Sequence, residues 1–518
     1  MIIENSNIYN ISANQNFFDQ LTQGIIKNIL PFHKQKDVIL LLPTQQSCSS
    51  LSKTLKEHKI YIKNIYSIND LSGLVKLDNT QSILDRMSLV NKISHIILGM
   101  NIKEFDNLYA ATELAEYFSD FLHKAANHNI NLNHFLENAH EEHNLHQQQL
   151  LHTLETFIKE WMKNKHLIKA TYNNFLIENI SNKGLILAGI NSLFPSIMNL
   201  SNQVANHPNG HVILYGLDQH LDKNDWNNIG LTHSQYNFKQ LLSTINNIEA
   251  KDIKPWHQDS EDSLFISHAL KPAQSCANWH ELNLSSNNIK LLTCPDHHEE
   301  AKAIIDIAHN HTAKSVMIIS PDESLTVKII LHLKAQNIDV NIVRDYPLKK
   351  TQTAIWMQLC LNFILEKYSF LSALALLKHP FAEISLEDLI QLELIIRDKN
   401  FRSDNIFTAL PENEFLIKLK TEVIQLKEYL NFKEMLTDHM SFIANITSHD
   451  LWEKEEDLKT FLDQLQEHSD FLNPLSFKEY SQLLNHFFNS AYYRDNNSFD
   501  HKITLIKPID ARLHTADL

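Results

Sequence analysis

Glycine is scarce in this chain. There are 8 glycines among 518 residues, where average usage of about 7% would supply about 36, and none follows Gly230. Loops that wrap a phosphate with backbone N–H groups depend on glycine, so the shortage narrows the places where nucleotide chemistry could sit. Arginine is also rare: Arg86, Arg344, Arg397, Arg402, Arg494 and Arg512 leave 40 of the 46 basic residues as lysine. The four cysteines (Cys48, Cys276, Cys294 and Cys360) are scattered and form no C-x-x-C pair. This argues against a disulfide framework and against a zinc or iron–sulfur centre. No apolar run approaches the roughly 20 residues that cross a bilayer. The opening MIIENSNIYNIS has no basic segment leading into an apolar core, so a cytoplasmic location without membrane attachment is the expectation.

What is present points to a globular protein, with 43% hydrophobic and 21% charged residues. Single cores stop growing at roughly 250 to 300 residues, so two to four domains are expected. The net charge of -15 disfavours a free-standing polyanion binder, because phosphate contacts need clustered Lys and Arg. Any contact with nucleic acid is expected to be local or to depend on a partner.

The first residues alternate in an α/β manner. Asn7 to Ile11 reads as a strand, Asn16 to Leu30 as a helix, and Asp37-Val-Ile-Leu-Leu-Leu-Pro43 as a strand buried on both faces, with Thr44 as N-cap of the next helix. From Gln81 to Ile180 the period becomes helical. Strand signals return at Gly184 to Gly189 and at His211 to Gly216, separated by a helix-length segment from Pro195 to His207. The polar stretch 250–288 reads as a linker. A second unit follows, with strands at Ile289 to Thr293, Ser315 to Ile319 and Asp339 to Val343, and helices at His297 to His309 and Pro321 to Ala335. Helices fill Thr351 to Asn489, and Ile503 to Ile506 returns as a strand of the second sheet.

The predicted layout is therefore two α/β domains, each interrupted by a large helical insertion. The first comprises 1–80 plus 181–249 around an insertion at 81–180. The second comprises 289–350 plus 490–518 around an insertion at 351–489. Superfamily 1 helicases share this layout, which makes their ATP machinery the decisive test. A P-loop needs glycines to close N–H groups around phosphate, a lysine for charge and a hydroxyl for Mg²⁺. The corresponding position reads Ser12-Ala-Asn-Gln-Asn-Phe17, with neither glycine nor lysine. The one G-x-x-x-x-G, Gly184-Leu-Ile-Leu-Ala-Gly189, encloses an apolar strand. Ala188, Gly189 and Ile190 stand where a Mg²⁺-binding carboxylate is needed. ATP hydrolysis is not expected, and neither a cofactor nor a catalytic residue is assigned.

Several stretches resemble the AddB subunit of the bacterial AddAB double-strand-break repair complex, in its alphaproteobacterial form. They are VILLLPTQQSCSSL, LAGINSLFPSIMNLSNQVANHPNGHVILYGLDQHLD, THSQYNFKQLL, LLTCPDHHEEAKAI, LLKHPFA and DARLHTADL, and they occur in the family's order along nearly the whole chain. The resemblance implies two superfamily 1 helicase-like (RecA/Rossmann-like) domains without ATPase activity. It also implies an AddA-type motor subunit as partner, contact with DNA through the complex, and a C-terminal nuclease with an iron–sulfur cluster. Two family words depart here. Pro-Thr-Arg-Arg is Pro43-Thr44-Gln45-Gln46, and His-Pro-Gln-Tyr-Gly is His233-Ser234-Gln235-Tyr236-Asn237. The nuclease signature G-x-x-D-R-I-D requires a glycine, and none follows Gly230. In the family the DARL-type segment leads into a further strand, so the second domain is expected to be incomplete. A remnant without repair function, or a helical scaffold unrelated to DNA, are the other readings.

The candidate nucleic-acid contacts are Thr44, Gln45, Gln46, Tyr236 and Lys239. A hydroxyl and amides at a helix N-terminus suit a phosphate, although capping explains Thr44 equally well. Tyr236 and Lys239 could stack on a base and meet a phosphate; an amphipathic helix with Tyr packed and Lys solvated is the alternative. His140-Glu-Glu-His143-Asn-Leu-His146 has its histidines three apart, not the four that places both on one helix face for zinc, and no metal site is assigned.

Overall fold

The computed structural model describes residues 7–68, 86–99, 105, 107–128, 130, 183–245, 248–257, 264–276, 279, 289–343, 345–382, 384–399, 406–408, 413–447, 451–452, 455–468, 474–494 and 501–518. The fold is α/β, with a parallel six-stranded sheet, a second parallel sheet of three strands, and many helices. The His140 to His146 stretch and the parts 258–263, 277–278 and 280–288 of the expected linker lie outside the described residues.

In the first unit the elements are β1 (Ile8–Ile11), α1 (Phe17–Asn28), β2 (Val38–Leu42), α2 (Gln45–Glu57), β3 (Asn64–Ser67), the helix pair α3 (Arg86–Gly99) and α4 (Leu108–Asn127), β4 (Gly184–Ala188), α5 (Pro195–Asn206), β5 (Gly210–Tyr215), α6 (Lys223–Asn228), α7 (Tyr236–Thr244), β6 (Lys254–Pro255) and α8 (Leu264–Ala269). The strand order is β3-β2-β4-β5-β1-β6, and every pairing is parallel. β2 and β4 are buried at all five positions, as their unbroken apolar sequences require of strands covered on both faces. Successive side chains alternate between two cores. Ile39, Leu41, Leu185, Leu187, Val212 and Leu214 pack with Leu200 and Val204 of α5 and with Phe238 and Leu241 of α7. Val38, Leu40, Leu42, Ile186 and Ile213 pack with Phe17, Leu21 and Ile25 of α1 and Leu51 and Leu55 of α2. Burying each such side chain contributes about 1.5–3 kcal/mol.

The expected linker begins later than its composition suggests. β6 pairs with β1, and the next residue, Trp256, is buried against α1: its backbone N–H donates to Asn10 O (2.9 Å) and its indole N–H to Leu21 O (3.2 Å). Gly24 makes the fit possible, because a Cβ there would lie 2.0 Å from the indole nitrogen. Further along, Lys271 pairs with buried Asp225 of α6 at 2.9 Å. Burial alone pushes the Asp225 carboxyl up, but hydrogen bonding from Ser275 and the Lys271 charge outweigh it and hold the group below its usual range.

The second unit contains α9 (His297–Asn310), β7 (Val316–Ile319), α10 (Glu323–Ala335), β8 (Val340–Val343), β9 (Asp345–Pro347), the helices α11 (Gln352–Leu365), α12 (Phe370–Leu377), α13 (Leu386–Lys399), α14 (Glu414–Gln425), α15 (Phe432–Ile446), α16 (Glu456–His468) and α17 (Phe477–Ser490), then β10 (Tyr492–Arg494), β11 (Ile503–Ile506) and α18 (Pro508–Ala511). Its sheet is ordered β7-β11-β8, so the late strand β11 sits in the middle. α9 and α10 cover one face through Ala301, Ile305, Ile329 and Leu333. Asp345 to Pro347 form β9, which pairs antiparallel with β10. The two crossings between sheet and helical lobe are thereby tied together. The lobe has its own core, with Trp356, Phe363, Phe432, Phe442 and Phe488 fully buried.

The strand expected at Ile289 to Thr293 does not form. These residues carry no regular secondary structure and have no ladder partner among the described residues, and Leu291 is 94% exposed. The apolar pattern is real, but a strand also needs a neighbour for its backbone groups.

Candidate functional site

The site follows from the winding of the first sheet. The chain leaves β2 toward β3, and leaves β4 in the opposite direction toward β5, although β2 and β4 are adjacent. Their following loops therefore part, and in open parallel sheets ligands bind in the crevice outside such a switch point. A cleft of about 420 Å³ lies there, lined by Pro43, Thr44 and Ser47 after β2 and by Gly189 to Ser192, Phe194 and Ile197 after β4. His123 and Asn127 of α4 form another wall. The fourth comes from the second unit, as Ile509, Asp510, Arg512 and Leu513.

Each wall has a local cause. Thr44 is extended (φ -134°, ψ 158°) and caps the 13-residue α2: its Oγ1 accepts from Ser47 N–H at 3.1 Å, and Ser47 Oγ accepts from Thr44 N–H at 3.1 Å. This reciprocal box aims the positive end of the helix at the cleft. Gly189 adopts φ +69°, and a Cβ there would come within 2.8 Å of Leu513 and 3.0 Å of Phe17. Glycine therefore lets the second unit's tail reach the first unit's core, where Leu513 is buried. Asn191 Oδ1 is buried without a hydrogen-bond partner among the described residues. His123 Nδ1 is held by Ser119 O at 2.8 Å, and Asn127 Oδ1 accepts from Ser196 at 3.4 Å. Asp510 is buried and Arg512 is exposed, so one carboxylate and one guanidinium enter from the same short turn.

The position equivalent to a P-loop is built differently from a phosphate cradle. Residues Ser12 to Asn16 form a tight turn closed by Gln15 N–H on Ser12 O (3.1 Å). Tyr215 OH donates to Ala13 O (3.1 Å) and Gln15 O (3.4 Å), so carbonyls face the ring. Beside the first turn of α1, Phe17 packs edge-on to Phe18 and Tyr215, and Phe18 meets the His514 ring at 5.1 Å. Burial lowers the His514 pKa to about 4 and keeps the imidazole neutral.

The proposed contacts separate into two groups around the β4 loop. Thr44 lines the cleft; Gln45, exposed, borders a neighbouring depression with Lys53 and Lys56; Gln46 is half-buried on the same first turn. Tyr236 and Lys239 lie on α7 and do not line the cleft. The Lys239 ammonium donates to Asn227 O (2.8 Å) and Ile229 O (3.1 Å), capping the end of α6. Their neighbour Asn237 reaches Asn191 O at 3.5 Å, and Gln235 bridges Gly216 O (3.0 Å) and Asp218 N–H (3.0 Å), so this segment supports the loops from behind. Sequence reasoning did not select His123, Asn127, Asn191, Asp510 or Arg512. Asp510 and Arg512 fall in DARLHTADL, a stretch already singled out, but their place at the first sheet depends on a contact over some 320 residues of chain.

The cleft combines an apolar rim, with Phe194 41% and Ile509 64% exposed, with the exposed Arg512 guanidinium and a helix N-terminus. This chemistry suits a ligand that carries both flat apolar and anionic parts. No family model matches the chain, and no curated protein matches it.

Proposed function

We propose that this chain is an AddB-like, ATPase-inactive, helicase-like subunit that supports DNA double-strand-break repair and end processing together with an AddA-type partner. The observation that carries the reading is the cleft at the β2/β4 switch point, closed by the Pro508 to Leu513 turn of a second parallel α/β unit. Two such units facing one cleft are the arrangement expected of a helicase-like chain. The tight Ser12 to Asn16 turn, with its carbonyls bonded to Tyr215, offers no phosphate cradle, which supports the ATPase-inactive part of the reading. Phe194 offers a ring for base stacking and Arg512 a phosphate contact. The overall charge of -15 agrees with DNA contact confined to this place and completed by a partner.

The test combines the purified chain with an AddA-type subunit. Co-elution on size exclusion and binding of a duplex with a single-stranded tail, followed by fluorescence anisotropy across a salt series, are the expected results. Arg512→Ala should weaken binding severalfold and reduce the salt slope by about one. ATP hydrolysis by the chain alone, abolished by substitutions within Ser12 to Phe17, would overturn the proposal. So would the absence of both partner and DNA binding, which favours the scaffold reading.

A further inference from the structure

We propose that His298 and His332 form a two-histidine chelate for a transition-metal ion of the zinc type, bridging α9 and α10. The site stands apart from the cleft and from any role in DNA repair.

The two residues meet because of how the helices pack. Ala301 and Ile305 of α9 share one core with Ile329 and Leu333 of α10. His298 stands three residues before Ala301, and His332 lies between Ile329 and Leu333 in sequence, so each ring flanks that seam. One is exposed and the other half-buried. His332 Nε2 comes within 3.3 Å of His298 Nδ1, with the ring centroids 4.9 Å apart.

That separation matches a shared ion. A tetrahedral zinc with nitrogens at 2.0–2.1 Å holds two of them about 3.3–3.4 Å apart. A neutral imidazole carries its one proton on either nitrogen. Both rings can therefore keep theirs on the outward nitrogen and turn two lone pairs to the same ion.

The surrounding charges favour a cation. His332 lies in the last turn of α10, at the negative end of the helix dipole. Asp296 caps α9 by accepting from His298 N–H (2.7 Å) and Glu299 N–H (3.0 Å). Hydrogen bonds from Glu299 and His298, and then the charges of His298 and Lys328, hold its carboxyl below the usual range, so an ionised carboxylate stands beside the pair. Among the described residues no group of three His, Cys, Asp or Glu forms a metal site. Water must then complete the coordination. The ligand class is an ion that accepts imidazole, such as Zn²⁺, Ni²⁺ or Cu²⁺, in preference to the oxygen-seeking Mg²⁺ or Ca²⁺.

The chain has 30 histidines, so total zinc uptake would not single out this pair, and the readout has to be local. Amide hydrogen exchange across α9 and α10 is measured on the full chain with Zn²⁺ alone and with Mg²⁺ as control. Openings that part the two rings should slow with increasing Zn²⁺, by about tenfold at ten times the dissociation constant, and should not respond to Mg²⁺. His298→Gln and His332→Gln each keep a hydrogen-bonding side chain without the imidazole. Either should abolish the slowing, and the double variant should lose no more than a single one. Should a glutamine variant lose protection in α9 or α10 without any metal, His298→Ala and His332→Ala, with the better helix former, take its place. Unchanged exchange of the unsubstituted chain at millimolar Zn²⁺ would overturn the proposal and leave the pair as a hydrogen bond. So would slowing that survives in the double variant, which would place the ion on other histidines.

Discussion

The two larger sheets among the described residues are both parallel, yet one is covered on both faces and the other mainly on one. The six strands of the first unit carry α1 and α2 on one face and α5 and α7 on the other, and both faces have substantial cores. The three strands of the second have α9 and α10 on one face. On the other, a small cluster of Val343, Ile506 and Ala511 packs with half-buried Met317. Parallel strands normally require cover on both sides because their side chains alternate between two apolar environments. In the first unit the alternation is satisfied along β2 and β4, whereas in the second Ile319 and the segment from Ile289 are left in contact with water. The lesson concerns where a preformed site can reside: the sheet covered on both faces holds the cleft, and the second unit reaches it only through the turn after β11.

Removing the closure of the first sheet should have the largest effect. Trp256 packs over Gly24, stands edge-on to Tyr9 at 5.1 Å and accepts from Asn28 Nδ2 at 2.8 Å through its carbonyl. Trp256→Ala should destabilise the first unit by about 3–5 kcal/mol. In urea denaturation followed by hydrogen exchange, β1, β2 and β4 amides should lose protection well before those of β7 and β11. Equal loss in both sheets would mean that they unfold as one body, with Leu513 transmitting the damage.

Acidification should cut across the two sheets, and more gently. His211 on β5 lies against Tyr9 and Trp256, and burial, with a smaller contribution from the His33 charge, lowers its pKa to about 4. His439 in the helical lobe, hydrogen-bonded to Tyr480 OH at 3.1 Å, is lowered by burial to about 3. A histidine lowered on folding binds its proton more readily in the unfolded chain. Stability is therefore fully present above about pH 6.5 and falls as the pH drops toward 4, by at most about 1.4 kcal/mol per pH unit for each group. His514, lowered by burial to about 4, borders Val316 and Met317 of β7 and Thr504 of β11, so those strands share the dependence. Exchange measured at pH 5 against pH 7 should show protection falling at β5, in α15 and at β7 and β11 beside His514 more than at β2 and β4. His439→Phe should flatten the lobe's dependence.

The contrast between the sheets also governs what was legible in the sequence. Val38 to Leu42 and Gly184 to Ala188 announce themselves because a strand buried on both faces needs an uninterrupted apolar run. Ile289 to Thr293 carries a shorter apolar signal interrupted by Lys290, and such a signal reports a tendency to burial and not the presence of a partner strand. β6 was invisible for the converse reason: Lys254 and Pro255 are exposed edge residues, and only Trp256 beyond them is buried. At the cleft, Thr44 was legible as a local capping signal, since the residues that satisfy it lie within one turn. Arg512 and Asp510 were not, because their role is created by Leu513 seating under Gly189.

The smallest predicted effect decides between the two explanations of Thr44. The second unit offers a matched control in Asp322, whose carboxylate caps α10 by accepting from Leu325 N–H at 2.8 Å, away from the cleft. Thr44→Ala and Asp322→Ala should each cost about 1 kcal/mol, and Thr44→Ser should recover most of its loss because the capping oxygen is retained. Thr44 Oγ1 already accepts from Ser47 N–H and lies 3.1 Å from Ser47 Oγ. The hydroxyl is therefore engaged before any ligand arrives. DNA affinity measured with the partner subunit, under conditions where every variant is folded, should change less than twofold for both alanine variants. A larger loss for Thr44→Ala, reversed by Thr44→Ser and absent for Asp322→Ala, would instead assign the hydroxyl a direct phosphate contact. The first unit would then contribute a side chain to the ligand, in addition to the positive helix end that the cap aims at it.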